Sequence, residues 1–160
     1  MFTIKPDFYD CFKCIADKCT DSCCIGWGID VDENAFEKYQ KLQSPLGDEI
    51  RSEIIKSEDG SNCFKLSGNE RCPFLNENNL CDIIIKCGEN YLCDICREHP
   101  RFYEWFVGVT ECGLGLCCEE VCRLLLENDE PFLLITESDG EEIVLEDRED
   151  IAESDFYIFI

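Results

Sequence analysis

Four cysteines fall within eleven residues of this chain, Cys14, Cys19, Cys23 and Cys24, and the last two are adjacent. Thiols this dense serve one of three chemistries: disulfide bonds, metal ligation or thiol redox exchange. A second group, Cys72, Cys81 and Cys96, lies farther along. Cys118 stands at the start of a predicted helix, whose N-terminus favours the thiolate form. Thiolate ligands of zinc and iron–sulfur sites generally come as one short-spaced group joined by others that folding brings in. Side chains of adjacent residues diverge, so Cys23 and Cys24 suit ligands to two sites, or one ligand beside one structural thiol. Spacing alone does not name the metal. Cys11/Cys14 and Cys93/Cys96 are both CxxC pairs, but they are widely separated. The run Cys19-x3-Cys23-Cys24 begins the CxxxCxxC pattern of radical enzymes and then breaks. Neither GxGxxG nor a phosphate-binding loop occurs in the chain.

Other side chains each have a chemical and a structural reading. His99 is the only histidine; as a metal ligand or general base it would be active, and as a polar residue at a helix end before Pro100 it would be structural. Arg97 and Arg101 could grip a carboxylate, or form ion pairs with the abundant acids. Trp27, Phe102, Tyr103 and Trp105 could cover an adenine, though packing is the plainer role. Asp30 and Asp32 could receive a lysine ammonium, and helix capping is the plainer role for them.

The elements that must position these residues are short. "NAFEKYQKL" and "LGDEIRSEIIKS" show helical spacing, with Asp32 or Asn34 as cap for the first. "CFKL" (63–66) and "CPFL" (72–75) suggest short strands. The stretch 81–101 reads as one or two short helices stopped by Pro100. "FYEWFVGV" (102–109) reads as a strand, and the chain from Cys117 as an amphipathic helix. "FLLITESDGEEIVL" suggests a hairpin about Asp139-Gly140. Residues 1–28 read as cysteine-rich and irregular.

Composition narrows the chemistry. The chain has 160 residues, 15 of them Cys, and a formal net charge of −22. That length indicates one domain, or one with an appendage. The expected division is a cysteine-rich domain over 1–127 and an acidic extension over 128–160, the start of a region cut short. Residues 127–155 carry 13 Asp or Glu against Arg148 alone. Such a surface repels phosphate backbones, which argues against nucleic acid as partner. No segment approaches the roughly 20 apolar residues that span a bilayer. The N-terminus lacks the features of a secretory signal, so a cytoplasmic location is expected, where thiols stay reduced and clustered cysteines mean metal. A disulfide-stapled secreted domain is the reading that a trimmed signal would revive. The apolar end "DFYIFI" suggests a fragment, or an end that docks on a partner.

Six blocks carry a resemblance: F-x-C-x4-C-x3-CC-x-GW over 12–27, CPFL at 72–75, LC at 80–81, GE-x2-L at 88–92, CR-x-x-PR at 96–101 and CCEE at 117–120. In order and spacing they resemble the N-terminal part of the flagellin lysine-N-methylase family, itself similar to a broader group of zinc- or iron-chelating CxxCxxCC proteins. The resemblance covers about residues 8–127. It implies a cysteine-bound metal centre, an iron–sulfur cluster of the 4Fe-4S type or else zinc, and methyl transfer from S-adenosylmethionine to lysine of a bacterial, flagellin-like protein substrate. By motif position it implies Cys14, Cys19, Cys23, Cys24, Cys72, Cys81, Cys96 and Cys118 as ligands. Arg97, Pro100 and Arg101 match its CR-x-x-PR block, in which His99 replaces the family's usual aromatic residue. Family members run well beyond this length, and the other seven cysteines fall outside the pattern, where they read as small buried hydrophobes.

The expected fold is therefore a small α+β domain, rich in helix, irregular, and organised around one or two cysteine-ligated metal centres. Two functions remain open. One is a lysine methyltransferase or its cluster-bearing domain, with catalytic residues that the sequence does not name. The other is a non-catalytic zinc- or iron-chelating module with a structural or sensing role.

Overall fold

Asp32 begins the first helix as the spacing predicts. Its carboxylate accepts a hydrogen bond from the Ala35 N–H at 2.9 Å, which caps α1 (Glu33–Lys41). Ser44 does the same for α2 (Pro45–Ser52), accepting from the Gly47 N–H at 3.1 Å, with Pro45 in the first turn, where its missing N–H costs nothing. The predicted second helix stops short: Ile54 and Ile55 belong instead to β2 (Ile54–Lys56), paired antiparallel with β3 (Asn62–Phe64). β-Branched residues favour the pleated surface, and that preference ends the helix at Ser52.

The computed structural model describes residues 1–127 and 129–138. Three further helices follow, α3 (Asp82–Cys87), α4 (Asp94–Glu98) and α5 (Glu119–Leu126). α3 and α4 are the two short helices expected before Pro100. "CPFL" forms no strand; Leu75 makes one isolated bridge to Cys81. The main sheet contains β1 (Phe2–Pro6), β4 (Arg101–Phe106), β5 (Val109–Leu114) and β6 (Leu134–Ser138), in the order β4-β5-β1-β6. "FYEWFVGV" is thus not one strand but the first arm and the turn of a hairpin, and Gly108, at φ 78°, supplies the left-handed residue that the turn requires. β1 lies in the stretch expected to be irregular. It pairs parallel to β5 and antiparallel to β6. The second arm of the hairpin about Asp139-Gly140, and most of the acidic extension, lie outside the described residues.

The molecule is a mixed α+β structure of short elements, with two apolar cores. The larger joins Ile29, Tyr39, Ile50, Phe64, Phe74 and Ile83 between the first helices and the 72–96 stretch. The smaller gathers Tyr9, Phe12, Leu114 and Val121 between the sheet and α5. Among the described residues no helix is long and apolar enough to cross a membrane.

Candidate metal centre

All fifteen cysteines are free thiols. Backbone contacts bring the distant ones together. The Cys72 N–H donates to the Cys24 carbonyl at 2.9 Å, and the Gly26 N–H donates to the Glu70 carbonyl at 3.0 Å, so the first cysteine loop is stitched alongside residues 70–72. The Leu75–Cys81 bridge folds Cys81 back beside Cys72. Cys81, Cys93 and Cys118 each occupy the cap position at the N-terminus of a helix, α3, α4 and α5 respectively. At the other end of the first loop, Thr20 donates from both its backbone N–H (2.7 Å) and its hydroxyl (2.6 Å) to the Glu119 carboxylate. That contact carries Cys19 to the start of α5.

The eight cysteines of the sequence pattern line two cavities that share several wall residues. One, of about 330 Å³, is lined by Cys24, Cys72, Cys81 and Cys96 together with Cys14, Cys19, Cys23 and Cys93. The other, of about 490 Å³, is lined by Cys14, Cys19, Cys23, Cys96 and Cys118. Electrostatic influence groups the eight into two sets that meet at the Cys23–Cys24 hydrogen bond. Cys24, Cys72 and Cys81 act on one another, and Cys24 and Cys72 act on Cys96. Cys14 and Cys118 act on both Cys19 and Cys23. The adjacent pair Cys23–Cys24 joins the two sets: contrary to the divergence expected of neighbours, the two side chains hydrogen-bond to each other.

Titration in the inner set, Cys24, Cys72, Cys81 and Cys96, is governed by burial and by paired thiols. Burial pushes the Cys72 thiol up to about 11 and also raises Cys81. Cys24 is held below the ordinary thiol range by a hydrogen bond from Cys23, helped by Ser22 and the Arg71 guanidinium. Cys23 rises correspondingly, first through that bond and then through burial. Cys96 is raised by its hydrogen bond to Cys93 and by burial, while the same bond lowers Cys93. Cys93 is the residue that the sequence reading set aside as a small hydrophobe. It is fully buried, 3.5 Å from the Tyr39 hydroxyl, and stands in the wall of the inner cavity. The CxxC spacing to Cys96 was the available signal. Cys117 likewise lines the larger cavity.

Soft thiolates are the donors that zinc and iron–sulfur centres take, so by donor chemistry these residues fit such a group. The side chains are not drawn in around a common point: among the described residues, no group of three or more His, Cys, Asp or Glu is placed to hold a metal ion.

The remaining predicted site residues take structural positions at the cavity rim. Arg97 pairs with Asp94 and with Glu98, the latter at 3.3 Å. The Arg101 guanidinium lies over the rings of Tyr9 (5.8 Å) and Phe12 (5.3 Å). Both arginines line the larger cavity, as does His99. His99 closes the end of α4, and its ring lies 5.7 Å from that of Trp27. Burial lowers its pKa, and its Nε2 atom is sealed with no hydrogen-bond partner. The four aromatics do not form one pocket: Phe102 and Tyr103 lie on opposite faces of β4, and Trp105, stacked on Tyr103, is 73% exposed. Asp32 is a double cap, because its second oxygen accepts from the Asp94 N–H at 2.7 Å. Asp30 bridges to Cys63 in the backbone.

Fold and site define a cysteine-rich α+β protein in which thiols from four separated segments line adjoining cavities. The chain is similar to lysine-N-methylases and to a flagellar biosynthetic protein. Over 135 residues, 81% of this chain, it is 28% identical to the lysine-N-methylases of Salmonella typhimurium and Salmonella choleraesuis. Over the same length it is 27% identical to the flagellar biosynthetic protein FliU of Salmonella muenchen. The resemblance in the six blocks is thereby borne out at modest identity. The match spans 80% of FliU but 34% of the two lysine-N-methylases, so this chain corresponds to about a third of their length. No family model and no solved structure matches the chain.

Proposed function

We propose that this chain is the cysteine-rich, metal-binding part of a flagellin lysine-N-methylase-like protein, acting in the cytoplasm on a flagellin-like substrate with S-adenosylmethionine as methyl donor. The observation that carries this reading is the gathering of Cys14, Cys19, Cys23, Cys24, Cys72, Cys81, Cys96 and Cys118 around adjoining cavities, in a chain similar to two lysine-N-methylases. Each set of four would hold one centre, zinc or an iron–sulfur cluster, once its side chains turn inward. Crowded thiolates repel one another, and a cation between them removes that repulsion. A bound iron–sulfur cluster would supply electrons or a binding point for the methyl donor.

The chain's own residues set the surroundings. Asp21, Glu89 and Glu119 in the wall of the larger cavity attract a lysine ammonium, and Arg97 and Arg101 offer donors to the donor's carboxylate. The lysine must lose its proton before it can accept a methyl group, and the partly buried cavity wall favours the neutral amine by desolvation. Anaerobic purification with iron, sulfide and zinc analysis tests the metal. Labelled methyl donor, reductant and flagellin, added to the metal-loaded protein, test the transfer. A protein without bound metal rejects the centre, and unlabelled lysine rejects the transfer. The match to only 34% of the length of the two lysine-N-methylases favours a second reading, a chelating module that does not itself transfer methyl groups. Stoichiometric metal with no calorimetric signal for S-adenosylmethionine supports that module.

A further inference from the structure

The main sheet has a second face that the thiols do not use. Register places Phe102, Glu104 and Phe106 of β4 beside Gly113, Glu111 and Val109 of β5, with Ile4 and Phe2 of β1 next in line. The opposite face carries Cys112 and Leu114, packed with Tyr9, Phe12 and Val121 in the smaller core. The Phe102 face therefore points away from that core. The Phe102 ring is seated over Gly113, where any Cβ would stand 2.1 Å from it, yet the residue is 51% exposed.

Glu104 and Glu111 sit directly opposite each other at the centre of this face. Like charges facing across an antiparallel pair destabilise it. Neither carboxylate has a hydrogen-bond or ion-pair partner among the described residues. Cβ atoms of directly opposed residues lie about 4.5–5.5 Å apart, close enough for one ammonium or guanidinium to bridge both carboxylates. The surround is aromatic and aliphatic, which suits the stem of a long basic side chain and its apolar neighbours.

We propose that this face is a docking surface for a basic polypeptide segment, with Glu104 and Glu111 holding one of its lysine or arginine side chains and Phe102, Phe2 and Ile4 packing the residues beside it. Charge selects that occupant over the others. A second copy brings another net charge of −22. Residues 139–160 carry nine Asp or Glu against Arg148. Either would add negative charge to an unpaired pair of carboxylates. The proposal is independent of metal binding and of methyl transfer.

The probe is a short fluorescein-labelled peptide of alternating lysine and valine, read by anisotropy at about 150 mM salt, where distant charges are screened. A glutamate–valine peptide is its control. E104Q/E111Q is expected to weaken binding at least about tenfold while its Tm holds or rises, because the repulsion is gone. E58Q/E77Q removes the same charge from two exposed turn positions elsewhere and is expected to change binding less than about twofold. A photo-crosslinking residue at position 102 should capture the peptide. Equal weakening by both double variants, or no binding by the unaltered chain, overturns the proposal. So does a crosslink to a second copy or to residues 139–160, which would identify a different occupant.

Discussion

The inner and outer thiol sets differ in what holds them. Cys24, Cys72, Cys81 and Cys96 sit against the larger core: Cys72 is buried, the other three are partly covered, and Phe74 and Ile83 pack beside them. Cys14, Cys19 and Cys23 lie along a loop of short turns, with Cys14 exposed, and Cys118 caps α5, to which the Thr20–Glu119 contact tethers the loop. Apolar packing orders the first set before any ligand arrives, whereas the second has little buried area to order it. Ligation is therefore expected to add stability to an inner set that packing already orders, and to supply local order at the outer set.

The largest expected effect comes from breaking the sets one at a time. C72S/C96S should abolish metal binding at the proposed inner centre and cost about 2–6 kcal/mol, because each change puts a hydroxyl where a thiol packs against the larger core. C14S/C19S should lose a comparable amount of metal while far-ultraviolet circular dichroism and Tm change little. Metal analysis beside thermal melts reads both, and equal destabilisation by the two double variants would erase the distinction.

Tyr39→Phe sharpens the inner side of the comparison. The Tyr39 hydroxyl donates to the Tyr91 carbonyl and touches the Cys93 thiol, with the ring fully buried. Its loss leaves a partly buried carbonyl unpaired, and urea unfolding should register about 1–2 kcal/mol.

Asp32→Ala is expected to cost about 1–2 kcal/mol at neutral pH, since the same carboxylate caps α1 and anchors the first residue of α4, which carries Cys96. Burial of Asp32 pushes its pKa up, but the N–H groups of Asp94 and Ala35 outweigh it and hold the carboxyl below its usual 3.8. The depressed folded-state value means that this contribution is complete above about 3.8 and is lost as the pH falls through the lowered pKa. The stability gap between the unaltered chain and Asp32→Ala should therefore narrow on acidification, as urea titrations over a pH series would read. A gap that is flat with pH would mean that the carboxylate's charge contributes nothing.

The smallest effect belongs to the outer side. Thr20→Ala should leave Tm nearly unchanged and speed amide hydrogen exchange across residues 14–24, because it removes one of the two donors that tie this loop to Glu119. Unchanged exchange there would show that packing, rather than the tether, orders the outer set.

The helices were legible wherever period and cap agreed. Asp32 ahead of Ala35, Phe36 and Tyr39, and the acidic first turn of α5, announce themselves locally. The strands were less so: β1 is five residues long and pairs with residues more than a hundred positions away, so "MFTIKP" carries only a faint alternation. Ile54 and Ile55 satisfied a helical period that their β-branching then overruled. Which cysteines were candidates came from spacing and family resemblance. That Cys93 joins the inner wall was signalled only by its CxxC spacing to Cys96, because Tyr39 and the other neighbours there arrive from other segments. The sheet face built around Glu104 and Glu111 was invisible, since a strand's two sides are assigned only by what packs against one of them.

By itself the sequence determined composition, charge, helical periods, turn chemistry and which thiols were plentiful enough to matter, because each of these is local along the chain. Only the tertiary structure decided that Cys118 approaches Cys23, that Cys24 meets Cys72, and that Glu104 opposes Glu111. Those are contacts between segments far apart along the chain, and they exist only once backbone hydrogen bonds and apolar burial have closed the intervening loops.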